Sequence, residues 1–429
     1  MSSDGAAHQH GRDWTALQRS IFNRKMLVAF LMGFSCGLPL LLTMGVLQAW
    51  MNDEGIDLTL IGLMALVQLP YTIKFLWSPI LDRFTLPFLG RRRGWLLAAQ
   101  VLLAGSIALM GLSNPSENIG FLVLASFLVT FFSASQDIVV DAYRREDLED
   151  KELGLGSTMY VYGYRIAMVL ASGGGLILAD QVSFRTVYLI LAAVMSIGIM
   201  TTVFTPEPKA EQGVPRTIRE AVIHPFLEYF TRSSTGYALL LLGFILFYKI
   251  GDQMAGAMTT PFYLDLGFSK TEIGAIVKAF GTWATFIGIF LGGVILLRSG
   301  ILRSLWIFGL LQAASTAGFA VLNLIGHSQM ALGVVVTFEN LTGGMGTSAY
   351  VAFMASITNK RFTATQYALL TSLMGIPRVL ASAPTGFMAK QIGWTGFFIF
   401  CTLIALPGLL MLPAINRGQV REEESPARA

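Results

Sequence analysis

Residues 119–142 read IGFLVLASFLVTFFSASQDIVVDA, an apolar stretch that carries two carboxylates, Asp137 and Asp141. The stretch is long enough to cross a bilayer, which takes about 20 mostly apolar residues. A charge inside the hydrocarbon costs roughly 3 kcal/mol on insertion scales, so it persists only where it is paired or faces a polar cavity. The stretch therefore predicts a membrane helix that borders a wet interior.

The composition extends this prediction to the whole chain. Of its 429 residues, 54% are hydrophobic and only 13% are charged, and the mean hydropathy is +0.62. Because a soluble domain has about 25% charged residues, the composition indicates a membrane protein with several spans. No soluble segment interleaves basic and aromatic residues, so no nucleic-acid partner is expected. Cys36 and Cys401 both lie in apolar stretches, which excludes a disulfide framework.

Windows of about 20 apolar residues predict twelve membrane spans, which we number 1 to 12. They cover residues 26–50, 58–80, 95–112, 119–142, 154–178, 185–205, 235–263, 271–297, 304–325, 328–357, 363–389 and 394–415.

The loops between the spans predict their orientation. Of the 30 Lys and Arg residues, 22 fall in loops on one side and only three, Arg185, Lys270 and Lys390, on the other. Positively charged loops stay in the cytoplasm, so both termini are expected there. The predicted organisation is an N-terminal segment (1–25), a six-helix bundle (26–205), a linker with an amphipathic helix (206–234), a second bundle (235–415) and a tail (416–429).

Nine ionisable residues lie inside the spans and beyond the first two residues of each, and their distribution indicates the fold. They avoid spans 3, 6, 9 and 12, which are therefore expected to face lipid. The halves also share a weak repeat, since Gly163-Tyr164-Arg165 in span 5 corresponds to Gly375-Ile376-Pro377-Arg378 in span 11. Parallel repeats of six spans are the build of the major facilitator superfamily. The sequence predicts an all-α polytopic membrane protein with this 12-helix fold, two six-helix halves around a central cavity. The nine residues are Lys74, Asp137, Asp141, Arg165, Lys249, Asp252, Lys278, Glu339 and Arg378.

Three carboxylates inside the spans are candidates for proton coupling: Glu339, Asp252 and Asp137. Glu339 and Asp252 lie near the middle of their spans, and Asp137 shares a helix face with Asp141. The alternative for each is structural. Glu339 would then be the buried partner of Arg378 or Lys249, and Asp137 a partner of loop arginines, which is also the favoured interpretation for Asp141.

Basic residues inside the spans are candidates for holding an anionic substrate, because Arg and Lys bind carboxylates. These are Arg165, Lys278, Arg378 and Lys249, although Lys249 can instead pair with Asp252 three residues away. The polar residues Gln136, Asn340 and Tyr164 complete the candidate binding set. Tyr160 and Tyr164 lie four residues apart and are spaced to stack on a sugar ring, but helix packing is the favoured interpretation.

A loop motif after span 2 predicts a gate at the cytoplasmic side. Six residues separate Asp82-Arg83 from Gly90-Arg91-Arg92-Arg93, where the superfamily motif D-R-x-G-R-R has one. We expect Asp82, Arg83, Arg91 and Arg92 to close this side through ion pairs, with Asp141 and Lys74 as further gate residues. The alternatives are plain positive-inside topology for the arginines and snorkelling to the interface for Lys74.

No catalytic motif stands out, so the chain is predicted not to be an enzyme. It has no Walker A motif, and its four histidines, His8, His10, His224 and His327, lie outside the span centres and form no metal site. No cofactor is expected, and the proton gradient is the predicted energy source.

Several long stretches resemble the AmpG muropeptide permeases. They run across residues 26–415 and include GFSCGLPLLLTMGVLQAWMNDEGIDLTLIGL, KFLWSPILDRFTLPFLGRRRGWLL, ASQDIVVDAY, FENLTGGMGTSAYVA and FTATQYALLTSL. That family shares the six-residue insertion in the gate motif. The resemblance implies proton-driven uptake of GlcNAc-1,6-anhydro-MurNAc and its peptides across the bacterial inner membrane by alternating access, for cell-wall recycling and, in some bacteria, β-lactamase induction. It implies contact with membrane lipids and no obligatory protein partner.

The tail INRGQVREEESPARA is a departure from this family, because some members carry further hydrophobic segments after span 12. Those segments are then dispensable to the core fold, or the role of this chain is shifted. Two other functions stay open: a related permease for another amphipathic cargo such as a siderophore, and a membrane receptor that does not transport.

Overall fold

The computed structural model describes residues 23–56, 60, 64–208, 218–231, 234–360, 362–376, 381 and 384–423. Within these ranges the chain is helical and contains no strand. The predicted N-terminal segment up to residue 22, the linker residues 209–217, the end of the tail from residue 424 and the candidate Arg378 lie outside the described residues.

Helices occur at each of the twelve predicted spans, and nine of those described are long and apolar enough to cross a membrane. The first half contains Arg24–Gly37 and Leu47–Asp53 (span 1), Leu69–Ile73 and Ser78–Arg83 (span 2), Arg91–Leu112 (span 3), Ile119–Asp147 (span 4), Leu153–Val169 and Gly175–Ala179 (span 5), and Phe184–Val194 and Ser196–Phe204 (span 6). The linker helix is Ile218–Thr231. The second half contains Thr235–Phe247 and Ile250–Asp265 (span 7), Lys270–Ile273 and Gly281–Ser299 (span 8), Ile301–Ile325 (span 9), Gln329–Ser356 (span 10), Thr363–Ile376 (span 11), and Thr385–Glu423, which continues through span 12.

Three interruptions of these helices bear on function. In span 2, Pro70 and Pro79 stand in the first turns of short helices, where their missing N–H groups are not needed. In span 7 the first helix ends at Phe247. Lys249, with a φ of −108° and a ψ of 0°, is the N-cap of the second helix. Gly393 has a φ of +70°, which favours glycine, and it separates two helices where span 12 was predicted to begin.

Glycines allow two pairs of spans to pack with their backbones in close approach, as small residues do in membranes. A Cβ on Gly33 of span 1 would lie 2.1 Å from the carbonyl oxygen of Tyr160 in span 5. A Cβ on Gly288 of span 8 would lie 2.1 Å from the carbonyl oxygen of Leu341 in span 10. Neither site has room for a side chain.

Replacing Gly288 by Ala is expected to destabilise the protein by about 3 kcal/mol, the upper part of the range for overpacking a core. Thermal unfolding of the purified protein in detergent measures this. Gly105→Ala is the matched control, because a Cβ there would meet nothing within 4 Å. Equal unfolding midpoints for the two variants would contradict the close approach of spans 8 and 10.

The buried apolar residues show how the halves meet. Of the four clusters among the described residues, one around Trp50 contains only first-half residues and one around Phe262 only second-half residues. The other two contain residues of both halves. One of them, for example, contains Tyr160 of the first half and Ala368 of the second. The mixed clusters lie near the helix ends that carry Arg91–Arg93 and Arg144–Arg145. We call this end of the protein the basic end. The halves thus share a core at the basic end and have separate cores at the opposite end.

Candidate functional site

Arg92 is the centre of a buried ion-pair cluster at the basic end. Its side chain has no exposed surface, and its Nη2 lies 2.8 Å from Oδ1 of Asp82 and 2.6 Å from Oε1 of Glu146. Arg91 approaches Oε2 of Glu146 at 2.9 Å. A buried ion loses several kcal/mol of hydration unless partners surround it, and here two arginines face two carboxylates. The cluster is therefore balanced in charge and ties spans 2, 3 and 4 together.

Asp82 also joins the two halves. Its Oδ2 accepts bonds of 2.8 Å from both the N–H and the hydroxyl of Thr365, and its Oδ1 accepts one of 3.3 Å from the N–H of Ala364. These N–H groups belong to the first turn of span 11, where unpaired donors and the helix dipole favour a carboxylate. The hydroxyl of Thr363 bonds to Glu146 beside them. A side chain of the first half thus caps a helix of the second half.

Two arginines at the end of span 4 make further contacts with the second half. Arg144 is 2% exposed, donates to the hydroxyl of Tyr367 at 2.7 Å, and lies 3.2 Å from Oδ1 of Asp141. Arg145 donates to the carbonyl of Thr358 at 3.3 Å. We call Asp82, Arg91, Arg92, Arg144 and Glu146 the latch. Asp141 is therefore paired with an arginine three residues further along the same helix.

Arg83 stands apart from the latch although it belongs to the same motif. Its guanidinium lies over the ring of Phe84, 5.4 Å from the centroid, and its Nε has no hydrogen-bond partner among the described residues. The structure therefore brings together Asp82, Arg91 and Arg92 but gives Arg83 no share in their ion pairs.

The linker is attached to both halves at the basic end. Glu207, at its start, accepts a bond of 2.8 Å from the N–H of Arg92 at the beginning of span 3. Glu228, in the linker helix, accepts bonds from Asn359 at 2.8 Å and from Gln366 of span 11 at 2.6 Å. The linker therefore bridges the same two parts that the latch joins.

Asp137 and Lys74 are buried in the first half, with exposures of 7% and 6%. Oδ1 of Asp137 has no hydrogen-bond partner among the described residues. From span 2, Lys74 attracts both Asp137 and Asp141 electrostatically. A buried oxygen without a donor is uncommon, and it leaves Asp137 free to take up a proton there without breaking a bond.

Lys249, Asp252 and Glu339 lie together in the second half, and we call them the midspan cluster. Nζ of Lys249 is 3.3 Å from Oδ2 of Asp252. The carboxyl groups of Asp252 and Glu339 are close enough to interact electrostatically, and Lys249 interacts with both of them. Asp252 keeps 24% of its side chain exposed, so the pair is not sealed from solvent.

Span 9 contributes two uncharged residues to this cluster. Oε1 of Gln312 accepts a bond of 3.1 Å from Lys249, and Oγ of Ser315 donates one of 2.5 Å to Oε2 of Glu339. Span 9 was predicted to face lipid, and one side of it exposes apolar residues such as Leu310 and Leu324. The opposite side is buried and carries polar side chains among its apolar ones.

Two of the predicted binding residues serve contacts between helices. Gln136 has no exposed surface, and its amide bonds to Ser35 and to Cys36. Asn340 accepts a bond from Thr285 at 3.1 Å and donates to the carbonyl of Val336. Both side chains are occupied in this conformation.

The remaining candidates are spread over spans 5 and 8. The ring of Tyr164 lies 6.0 Å from that of Tyr160, one turn away in the same helix. Arg165 is half-buried in span 5, and Lys278 lies in the π-helical turn Gly274–Phe280. No group of three His, Cys, Asp or Glu side chains in the described part of the chain is arranged to hold a metal.

Five residues that the structure makes important were not singled out from the sequence. Glu146 had a signal, because it is an acidic residue in a loop crowded with arginines. Gln312 and Ser315 had a weaker one, because they are polar residues spaced three apart in an apolar span. Arg144 and Tyr367 had none, since their contact joins positions 223 residues apart.

Comparisons with known proteins agree with this architecture. Residues 26–382 match the profile described as Major Facilitator Superfamily. The anhydromuropeptide permease of Escherichia coli (strain K12) is 42% identical over 387 residues, which are 90% of this chain and 78% of that protein. A Rickettsia conorii protein named putative transporter AmpG 4 is 33% identical over 398 residues, 90% of this chain and 95% of the relative. The solved structure of the transporter FucP in the outward conformation has a TM-score of 0.70 at 14% identity, covering 92% of this chain and 99% of that one, and shows the shared fold.

Proposed function

We propose, since this chain belongs to the Major Facilitator Superfamily and within it to the AmpG permeases, that it imports GlcNAc-1,6-anhydro-MurNAc and its peptides together with protons. The E. coli relative is named for this cargo and shares 42% of its residues over 90% of the chain. The chain is a multi-pass membrane protein, which we place in the bacterial inner membrane. It needs no cofactor in this scheme, because the proton gradient supplies the energy.

The basic end faces the cytoplasm in this proposal, because positively charged loops stay there, and both termini lie on that side. With the latch formed and the cores separate at the opposite end, the described conformation is the one open to the periplasm. Transport then requires the latch to break and the opposite ends to close. The linker, attached at Glu207 and Glu228, would move with this change.

The midspan cluster supports coupling to protons. Lys249 is paired with Asp252, and Asp252 lies close to Glu339, so that in this proposal the two carboxyl groups hold one proton between them. When a further proton neutralises the pair, Lys249 loses its anionic partner and becomes available to a carboxylate of the muropeptide. Proton binding and substrate binding would then favour each other. In the first half the candidate proton site is Asp137, which has one oxygen without a hydrogen-bond partner among the described residues and interacts electrostatically with Lys74.

Uptake into membrane vesicles tests the proposal. Labelled GlcNAc-1,6-anhydro-MurNAc is expected to accumulate when the outside is acidic and to equilibrate when a protonophore collapses the gradient. Binding without flux would indicate a receptor instead. Accumulation of an amphipathic siderophore but not of the muropeptide would keep the transporter and change its cargo.

Arg378→Ala is expected to raise the KM for the muropeptide about tenfold or more, because loss of a charged hydrogen bond removes roughly 1.5–3 kcal/mol. Initial uptake rates over a range of substrate concentrations measure this. The amount of variant in the membrane serves as the control. A variant that fails to reach the membrane would instead support a structural ion pair for Arg378.

A further inference from the structure

Residues 304–325 of span 9 carry no charge, yet the buried side of this helix is polar around the midspan cluster. Gln312, Ser315 and Thr316 are spaced three and four residues apart, so they share one face of the helix. Their exposures are 5%, 0% and 3%. Polar side chains inside a membrane helix are usually buried where they can bond to other polar groups.

The hydroxyl of Ser315 has more acceptors around it than protons to give. Its Oγ lies 2.5 Å from Oε2 of Glu339, 2.9 Å from the hydroxyl of Thr342 and 2.9 Å from the carbonyl oxygen of Gln312. A serine hydroxyl has one proton and can also accept. It therefore donates to Glu339 when that carboxylate is ionised. When Glu339 is protonated, its own O–H can donate to Ser315, whose proton turns to the carbonyl of Gln312.

We propose that Ser315 is a positioning residue of the coupling pair. Its hydroxyl favours the ionised form of Glu339, and it turns to the carbonyl of Gln312 in span 9 when Glu339 is protonated. The proposal rests on the proposed proton coupling at Asp252 and Glu339. Gln312 assists by holding Lys249 at 3.1 Å. The residue Gly346 of span 10 leaves the space for this contact, because a Cβ there would lie 2.9 Å from Oε1 of Gln312.

Other groups around Glu339 set the background for this effect. Span 7 brings Asp252, Lys249 and the phenol of Tyr263 close enough to Glu339 to interact with it electrostatically. Spans 8 and 11 carry Lys278 and Arg378, whose side chains are outside the described part of the chain. Removing the Ser315 hydroxyl leaves all of these charges in place, so the change isolates the hydrogen bond.

The test is the pH dependence of muropeptide uptake in Ser315→Ala. Loss of a donor to the ionised carboxylate makes deprotonation harder. The pH midpoint of uptake is therefore expected to rise by about one unit, which corresponds to the loss of one hydrogen bond to a charged group. Ser304→Ala is the matched control, because Ser304 is equally buried in span 9 and its hydroxyl bonds, among the described residues, only to the carbonyl of Gly300 at 2.7 Å. Ser315→Thr keeps the hydroxyl and is expected to keep the wild-type midpoint.

If a variant is too inactive for uptake to be measured, infrared spectroscopy of the purified protein gives a second test. The carboxyl C=O band that disappears in Glu339→Gln is expected to shift in Ser315→Ala and to stay in place in Ser304→Ala. A wild type with proton-driven uptake, combined with an unshifted midpoint and an unshifted band in Ser315→Ala, overturns the role of Ser315 alone. A wild type whose uptake ignores the gradient overturns the proposed coupling and this role together.

Discussion

Glu339→Gln is expected to abolish accumulation of the muropeptide against its gradient, so that the internal concentration only reaches the external one. Glutamine has the shape of the protonated acid but cannot release a proton. Its amide can still bond to Ser315, which lies 2.5 Å from the carboxylate in the wild type. The variant is therefore expected to fold and to exchange labelled for unlabelled substrate across the membrane. Gradient-driven uptake and counterflow, measured in the same vesicles, separate the two effects.

Asp252→Asn is expected to give the same loss, together with lower stability, because Lys249 loses the anionic partner that lies 3.3 Å away in the wild type. Breaking a buried ion pair by removing one partner costs about 3–5 kcal/mol. Glu272→Gln is the control for loss of a carboxylate in this half, since Glu272 lies outside the cluster and bonds to Ser269 and Gln329. Wild-type accumulation in both Glu339→Gln and Asp252→Asn would refute the pair as the coupling site.

Arg92→Met is expected to shift the protein away from the conformation that is closed at the basic end. The change leaves Asp82 and Glu146 buried without the guanidinium that lies within 2.8 Å of each. A loss of about 3 kcal/mol in this conformation is roughly a hundredfold in its equilibrium with the open one. Transport is expected to fall because the return to the periplasm-facing form becomes unfavourable.

Cysteine labelling measures this shift. Thr158 is 3% exposed in span 5 and faces Gly293 of span 8 across the two halves, so a cysteine in its place is reached only when the basic end opens. A membrane-impermeant maleimide in inverted vesicles is expected to label Thr158→Cys much faster when Arg92→Met is also present. The native Cys36 and Cys401 are buried and give little background. Arg83→Met removes the same charge outside the latch, and equal labelling with either substitution would contradict the assignment.

The sequence was sufficient for the fold. The twelve spans are runs of apolar residues, a local property, and their order with the spacing of charges predicts the superfamily. Gly393 begins span 12 where the pattern predicted it. The pairing of Lys249 with Asp252 was also within reach, because three residues along a helix bring side chains together.

What the sequence did not predict depends on contacts between distant segments. The latch needs Glu146 beside Arg92 and the start of span 11 beside Asp82, which are 54 and 282 residues apart. Ser315 escaped notice for another reason. Charged residues distinguish inner from outer spans in the sequence. An uncharged hydroxyl that bonds to a carboxylate of a neighbouring helix does not show in the distribution of charge.

The cap that Asp82 places on span 11 makes the local order of that helix depend on the arrangement of the whole protein. While the basic end is closed, the amides of Ala364 and Thr365 are bonded to a carboxylate of the other half. When the halves part, these amides lose their acceptor and meet water. Their rate of exchange with deuterium would therefore follow the fraction of time that the basic end is open, so two backbone positions would record the opening of that end without a chemical modification of the protein.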